Sequence, residues 1–281
     1  MIDEILLNAL KEDIGPGDYS GLACIPENAL GKAKLLVKDN GVLAGVDVAK
    51  RVCQLIDPPL TFHGIMEDGT KVKKGDIAFE VTGSARSILA AERLMLNCMQ
   101  RMSGIATLTK LYCDQIEGLS TKLLDTRKTT PGIRFLEKWA VRIGGGHNHR
   151  FALYDMVMLK DNHIDFAGGV EQAITNTKNF LAANNLDLKI EIEVRDFDEL
   201  AEAMRVGGID RIMLDNFTPE NLEKALQIID DKYETEASGG ITLETLRSYA
   251  ETGVDFISVG ALTHSYKSLD MSLKSEFGIN R

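Results

Sequence analysis

Cysteine is scarce in this chain and never closely spaced: Cys24, Cys53, Cys98 and Cys113 stand 29, 45 and 15 residues apart. With no CxxC pair, zinc-ribbon and redox-dithiol readings fall away, and a reducing cytoplasm suits the thiols. Long apolar runs are missing too. The longest stretch without a charged residue is the eleven residues from Phe256 to Tyr266, far short of the ~20 needed to cross a bilayer. The opening Met1-Ile2-Asp3-Glu4 is acidic, where a signal or transit peptide is basic. Proline is rare, six in 281 residues, while 44% of the chain is apolar and 26% charged. That balance excludes a disordered or fibrous protein, and the length predicts about two domains. The expectation is a cytoplasmic globular protein with no membrane partner.

Charge is uneven along the chain. The sum is −10, which argues against general nucleic-acid binding. Between Thr126 and Lys160 the sign inverts: Arg127, Lys128, Arg134, Lys138, Arg142, Arg150 and Lys160 face only Glu137 and Asp155. A basic island in an acidic chain suggests a focused site for a small polyanion. For Arg134 to Arg142 a solvated helix face is an equal alternative.

The first hundred residues read as mixed α and β. Ile5 to Lys11 is amphipathic and stopped by Gly15-Pro16-Gly17; Lys32 to Lys38 is strand-like, and Asn40-Gly41 predicts a hairpin turn into Val42-Leu43-Ala44. Val46 to Leu55 has helical spacing. Gly69 to Gly83 gives two short strands around Lys74-Gly75-Asp76, superficially like a lipoyl or biotinyl carrier but without the flanking residues of a carrier's modified lysine. A long helical pattern starts at Ser87, with a break expected at Ser103-Gly104.

After that point short apolar runs recur, each with a polar or glycine-rich tail: KLLDTRK, MVMLKDNH, KIEIEVRD, RIMLDN, ETEASGG and FISVGA. Helical segments lie between them, at Val170 to Leu181, Phe197 to Val206, Pro219 to Ile229 and Leu243 to Ala250. Six strand–loop–helix units predict a parallel α/β sheet, and the missing GxGxxG favours a closed or nearly closed barrel over a Rossmann sheet. In such barrels function gathers where strands end. Those positions hold Asp125, Arg127, Lys128, Lys160, Asp161, Asn162, Glu193, Asp215, Asn216, Ser238, Gly239, Gly240 and Gly260. Carboxylates, cations and glycine loops together suit a phosphorylated substrate with a divalent cation. His147 and His149, with His163 nearby, have the look of a metal pair, but the preceding glycines favour a loop shaped around an anion.

DTRKTTPGIR (Asp125 to Arg134), GGGHNHR (Gly144 to Arg150) and KDNHI (Lys160 to Ile164) resemble the nicotinate-nucleotide pyrophosphorylase, or quinolinate phosphoribosyltransferase, family. AER (Ala91 to Arg93), SGIAT (Ser103 to Thr107), EIEV (Glu191 to Val194), MLDN (Met213 to Asn216), EASGGI (Glu236 to Ile241) and ISVGAL (Ile257 to Leu262) match in the same order. EDIGPGDYS (Glu12 to Ser20) also matches, although Ser20 stands where the family more often has threonine. The resemblance spans essentially the whole chain.

It implies transfer of the phosphoribosyl group from phosphoribosyl pyrophosphate (PRPP) to quinolinate, with decarboxylation, giving nicotinate mononucleotide on the route to NAD. It also implies an α/β fold: an N-terminal α/β sandwich domain over residues 1–103, joined by the tail 266–281, and an incomplete TIM-like α/β barrel over 104–265. A homodimer or larger assembly would share its sites between subunits. By the match, Thr126, Arg127, Lys128, His149, Arg150 and Lys160 bind quinolinate, with Arg93 arriving from the neighbouring subunit. Glu193, Asp215, Ser238, Gly239, Gly240, Val259, Gly260, Ala261 and His264 surround PRPP, with Lys128 between the two substrates. Glu193 and Asp215 are the expected Mg²⁺ residues, directly or through water, and with Lys128 the expected catalytic ones.

Two rivals remain open at this stage. A phosphoribosyltransferase of the same fold with another acceptor would keep the PRPP residues and lose part of the cationic clamp. A non-catalytic carrier would not need Glu193 and Asp215 opposite an arginine cluster. The Rossmann-like phosphoribosyltransferases are excluded, because their strand ends in two adjacent acids and MLDNF has one.

Overall fold

The computed structural model describes residues 1–276, so the last five residues of the expected tail lie outside the described residues. Its contacts divide the chain into two compact units. The first holds Met1–Lys110, Thr129–Gly145 and the chain from Ala261 onward; the second holds Leu111–Lys128 and Gly146–Gly260.

The first unit begins with α1 (Ile2–Ile14), which buries Leu6 and Leu10 one turn apart and stops at Gly15, where φ is +52°. A second helix, α2 (Tyr19–Cys24), starts on Asp18, whose carboxylate accepts from the Ser20 and Gly21 amides. There follow β1 (Leu30–Val37), β2 (Gly41–Val42), α3 (Val46–Ile56), β3 (Thr61–Gly64), β4 (Lys71–Val72), β5 (Ile77–Ser84) and α4 (Ala85–Gln115). In β1 the buried positions Ala33, Leu35 and Val37 alternate with half-exposed lysines and leucine, the period of a strand with one face on a core. On α3 Val46, Ala49, Val52 and Cys53 keep helical spacing and are buried.

Two expectations fail here for identifiable reasons. No β1–β2 hairpin forms at Asn40-Gly41; β2 pairs antiparallel with β4, and the Asn40 side-chain carbonyl accepts from the Lys74 amide at 3.1 Å. Helix α4 does not break at Ser103-Gly104 but runs 31 residues to Gln115. Ser103 is buried, its hydroxyl donating to the Ala44 carbonyl and accepting from the Ala44 amide at 3.1 and 2.8 Å. Gly104 is small because the Lys267 carbonyl passes where a Cβ would stand. The glycine serves a close approach, not a stop.

The second unit carries β6 (Lys122–Leu124) and, after the first unit's α5 (Arg134–Ile143), the elements β7 (Val157–Leu159), α6 (Asp161–Ala167), α7 (Val170–Ala183), β8 (Ile190–Val194), α8 (Phe197–Val206), β9 (Arg211–Asp215), α9 (Pro219–Ile229), β10 (Glu234–Ser238), α10 (Leu246–Ala250) and β11 (Phe256–Ser258). The chain then returns to the first unit with α11 (Ala261–His264) and β12 (Met271–Ser275). There β12, β1, β5 and β3 form an antiparallel sheet, with Leu35 opposite Leu273 and Ala33 opposite Val81.

The six strands of the second unit form one parallel sheet in the order β6-β11-β10-β9-β8-β7. Among the described residues β6 and β7 do not pair with each other, so the sheet is open at both edges; His147 bridges to Leu124 beyond β6. Registers such as Glu191 opposite Arg211, Met213 opposite Glu236 and Asp215 opposite Ser238 align like faces along the sheet. Successive side chains of a strand point to opposite faces. One face therefore carries Ile190, Ile192, Ile212, Leu214, Ala237 and Ile257, and the other Glu191, Glu193, Arg211, Met213, Asp215, Glu236, Ser238 and Ser258. Short loops end in defined helix starts, as where the Thr218 hydroxyl accepts from the Asn221 amide ahead of Pro219 at N1.

Candidate active site

The polar face opens at the carboxyl ends of the strands into a cavity of about 140 Å³, lined by Thr126, Arg127, Lys128, His149, Arg150, Met158, Lys160, Met213, Glu236, Ser238 and Ser258. A larger depression of about 390 Å³ lies at the other end of the strands, lined in part by Glu223, Asp230, Asp231 and Asp255. Its acidic wall repels a polyanion, so chemistry and not size selects the smaller cavity.

The loops that carry the cations are held by buried acids. Asp125, directly after β6, is fully buried; its carboxylate accepts from the His149 amide at 2.8 Å and the Asn148 side chain at 2.6 Å. The Asp125 amide also donates to the His147 carbonyl at 3.1 Å, and the His147 amide to the Leu123 carbonyl at 2.8 Å, across the β6 edge. Asp155 closes the following turn, accepting from the Phe151 and Ala152 amides at 2.6 and 2.7 Å. Burial favours its neutral form, but those amides outweigh burial and hold its pKa low.

Within this frame Arg150 is buried, one guanidinium nitrogen 3.2 Å from the Met156 carbonyl. Burial, then the charge of Arg127 beside it, pulls its pKa down. Like charges forced together at a cavity wall are costly unless an anion completes them, and guanidinium forks fit carboxylates in bidentate geometry.

At the adjoining strand ends the sign reverses. The Lys160 ammonium lies 2.8 Å from Glu193. Asp215, at the end of β9, accepts from the Asn216 side-chain amide at 2.6 Å; burial and then the nearby Glu193 charge push its pKa up. The Asn216 amide donates to the Ser238 carbonyl at 2.8 Å, tying the loops after β9 and β10 together. Gly239 and Gly240 have φ of +96° and +60°, and a Cβ on Gly239 would overlap the Asn216 side chain. The turn at this place requires glycine, and it leaves backbone N–H groups uncovered by side chains.

Beneath the cavity lies a buried charged cluster. His149 Nε2 is 2.9 Å from Glu191 and 3.3 Å from Glu236, and both carboxylates are fully buried. Arg211 reaches Glu236 at 3.2 Å and Glu234 at 3.0 Å, with its guanidinium 4.1 Å from the centre of the Phe256 ring. Burial disfavours the charged ring of His149, yet the two carboxylates outweigh it and raise its pKa. Burial and the neighbouring Glu236 push Glu191 up to about 7, whereas His149, Ser258 and Arg211 hold Glu236 low against its burial. The Arg150 amide donates to His149 Nδ1 at 2.6 Å, a bond only the neutral ring protonated at Nε2 can accept, so it opposes the charged form that the carboxylates favour. The ligand atoms of His149, Glu191 and Glu236 lie within 4.8 Å of one another.

The second unit thus gathers Thr126, Arg127, Lys128, His149, Arg150, Lys160 and Ser238 on one cavity, with Glu193, Asp215, Gly239 and Gly240 at neighbouring strand ends. Val259 and Gly260 follow β11, and the Val259 amide donates to the Leu124 carbonyl at 3.0 Å. Arg93, Ala261 and His264 fall in the first unit: Arg93 is exposed on α4, and His264 Nδ1 is 2.7 Å from the Ser265 hydroxyl. Sequence reasoning passed over Glu191, Glu236 and Arg211. The signal available was alternation, since IEIEV and ETEAS place a second acid on the face of the first.

Comparison with known proteins bears on this geometry. A family model described as quinolinate phosphoribosyl transferase, C-terminal domain, matches residues 105–274, and its N-terminal counterpart matches residues 18–103. The chain is 46% identical over 281 residues to "Nicotinate-nucleotide pyrophosphorylase [carboxylating], chloroplastic" of Arabidopsis thaliana, covering 95% of this chain and 80% of the relative. It is also 46% identical, with the same coverage, to "Quinolinate phosphoribosyltransferase [decarboxylating] 1b" of Nicotiana tabacum. Among solved structures, NadC from Streptococcus pyogenes superposes with a TM-score of 0.91 at 42% identity, covering 97% of this chain and 95% of that one.

Proposed function

The chain belongs to the quinolinate phosphoribosyltransferase family, and from that premise we propose how its strand-end cavity carries out the family's reaction. The enzyme transfers the phosphoribosyl group of PRPP to the ring nitrogen of quinolinate. Pyrophosphate and carbon dioxide leave, and nicotinate mononucleotide is formed for NAD biosynthesis.

The observation that carries the residue assignment is the pressing of Arg127 and Arg150 against one cavity, beside Lys128 and Lys160. A ligand with two adjacent carboxylates satisfies that charge, and a monocarboxylate leaves half of it unmatched. Arg127, Arg150 and Lys160 hold the two carboxylates, with Thr126 and His149 shaping the same wall and Arg93 supplied by a neighbouring subunit. Lys128 stands between quinolinate and PRPP. The Ser238-Gly239-Gly240 turn offers backbone and hydroxyl donors to the 5′-phosphate, with Val259 and Gly260 completing that subsite.

Glu193 and Asp215 face the ribose and diphosphate. As the bond to the diphosphate breaks and that to the ring nitrogen forms, positive charge builds at the anomeric carbon, and two fixed carboxylates stabilise it. They also fit Mg²⁺: hard oxygen donors close together, with the Glu193 charge raising the cost of ionising Asp215, are what a divalent cation relieves. When bound there with the diphosphate, Mg²⁺ supplies charge neutralisation to the leaving group. Ribosylation leaves the ring nitrogen formally positive. Loss of the adjacent carboxylate as carbon dioxide then leaves its electron pair on a ring carbon that the pyridinium stabilises, and a proton completes the product.

We place the reaction in the cytoplasm on the cysteine spacing, and assign a homodimer or larger assembly. Exposed apolar side chains support the latter: Tyr19, Leu22, Leu30 and Leu89 in the first unit, and Leu153, Tyr154 and Phe166 in the second. Ligand-induced stabilisation tests the clamp. Quinolinate at 100 times its Kd stabilises the folded protein by about 2.7 kcal/mol, visible as a rise in Tm, while nicotinate at the same concentration gives a much smaller shift. Equal shifts from the two ligands contradict a dicarboxylate clamp.

A further inference from the structure

Glu191, Glu236 and Arg211 have no part in the chemistry above, yet they occupy the interior directly under the acceptor cavity. Burying charges in place of apolar side chains is expensive, and a hydrophobic replacement of similar volume is often as stable or more so. Glu236 is the sharper anomaly, because it lines a cavity built for a dianion. A carboxylate there repels the substrate unless its charge is committed elsewhere. It is: Glu236 Oε2 lies 3.3 Å from His149 Nε2 and 3.2 Å from Arg211. Glu191 takes the same His149 nitrogen at 2.9 Å. On its other side the ring accepts the Arg150 amide at 2.6 Å. A continuous path therefore runs from Arg211 through Glu236 and His149 to the backbone of the arginine that defines the clamp.

We infer that Glu191, Glu236 and Arg211 are positioning residues for the acceptor, a buried charged floor that fixes the His149 ring and through it Arg150. The inference rests on the assignment of Arg150 to quinolinate. The floor keeps the clamp in its binding geometry while the cavity is empty, when Arg127 and Arg150 repel each other. Without it the ring is free to rotate, and Arg150 retreats from Arg127 towards its Met156 carbonyl partner. Binding must then restore the geometry at the expense of affinity for the acceptor alone. The groups assigned to PRPP, Glu193, Asp215 and the Ser238-Gly239-Gly240 turn, stand nearer the mouth on the same strands and lie outside the link from Glu236 through His149 to Arg150 that the floor fixes.

Steady-state kinetics of Glu236→Gln, Arg211→Met and the double variant, with Tm measured for each, tests this. Glu236→Gln keeps the shape and removes the charge-assisted bond; it raises the KM for quinolinate about tenfold or more, with the KM for PRPP within about twofold. Arg211→Met leaves Glu236 buried without its cation and lowers Tm. In the double variant both charges go, so Tm recovers towards wild type while the quinolinate KM stays high. A quinolinate KM that returns with Tm marks the cluster as structural only and overturns the inference. So does an unchanged quinolinate KM in folded Glu236→Gln, or an equal rise for both substrates. Stoichiometric binding of Zn²⁺ alone that raises wild-type Tm, and is lost in Glu236→Gln, overturns it in favour of a metal cage. Wild-type turnover is the control: a wild type inactive with quinolinate overturns the acceptor assignment itself, and the inference with it.

Discussion

Replacing Arg150 with alanine raises the KM for quinolinate about 100-fold or more and leaves the KM for PRPP within about twofold. Truncating one partner of a buried, hydrogen-bonded charge pair costs about 2–5 kcal/mol, and each 1.4 kcal/mol is a factor of ten. Arg150 is in that class, buried beside the cavity and anchored on the Met156 carbonyl. The free protein feels the change differently. Arg127 loses a like-charged neighbour, a gain that offsets the lost packing and the lost bond to Met156, so Tm falls by at most a few degrees. The substitution thus stabilises the empty clamp relative to the filled one, which enlarges the KM effect. Losses of equal size for both substrates, in Michaelis constants measured with the other substrate saturating, show that Arg150 serves the site as a whole and not the acceptor.

Mixing two inactive variants restores turnover. Arg93→Ala and Lys160→Ala each remove one cation from the proposed acceptor clamp, but in the proposed assembly Arg93 acts in the neighbouring subunit. In a hybrid dimer the site that keeps Lys160 receives Arg93 from the Lys160→Ala chain, and the other site lacks both. Random exchange makes half of the dimers hybrids with one intact site each, so about a quarter of wild-type activity returns. The assay is activity against time after mixing, with subunit exchange followed by native mass spectrometry. Demonstrated exchange without recovery rules out a shared site.

Much of this architecture is legible in the sequence because its signals are local. RIMLD and KIEIEVRD are short apolar runs with polar tails, and each is a strand whose tail lies at the mouth. Asp196 and Thr218-Pro219 announce α8 and α9 through cap chemistry that depends on a few neighbouring residues. What depends on contacts far along the chain is not legible. Gly104 reads as a helix break until the Lys267 carbonyl is brought against it. Asn40-Gly41 reads as a hairpin turn until β2 finds β4. Short elements with weak periodicity, α2 and β3, pass unnoticed for the same reason. The site divides in the same way. Motif order names Arg127, Arg150, Glu193 and Asp215, but that Glu193 meets Lys160, and that Glu191 and Glu236 share His149, follows only from strand register.

Pyrophosphate release by the purified protein with PRPP and Mg²⁺, with quinolinate and nicotinate as alternative acceptors, tests the central claim most directly. The account predicts release with quinolinate only, matched mole for mole by nicotinate mononucleotide and carbon dioxide. Release with nicotinate and not with quinolinate, or none with either from protein that binds PRPP, contradicts it.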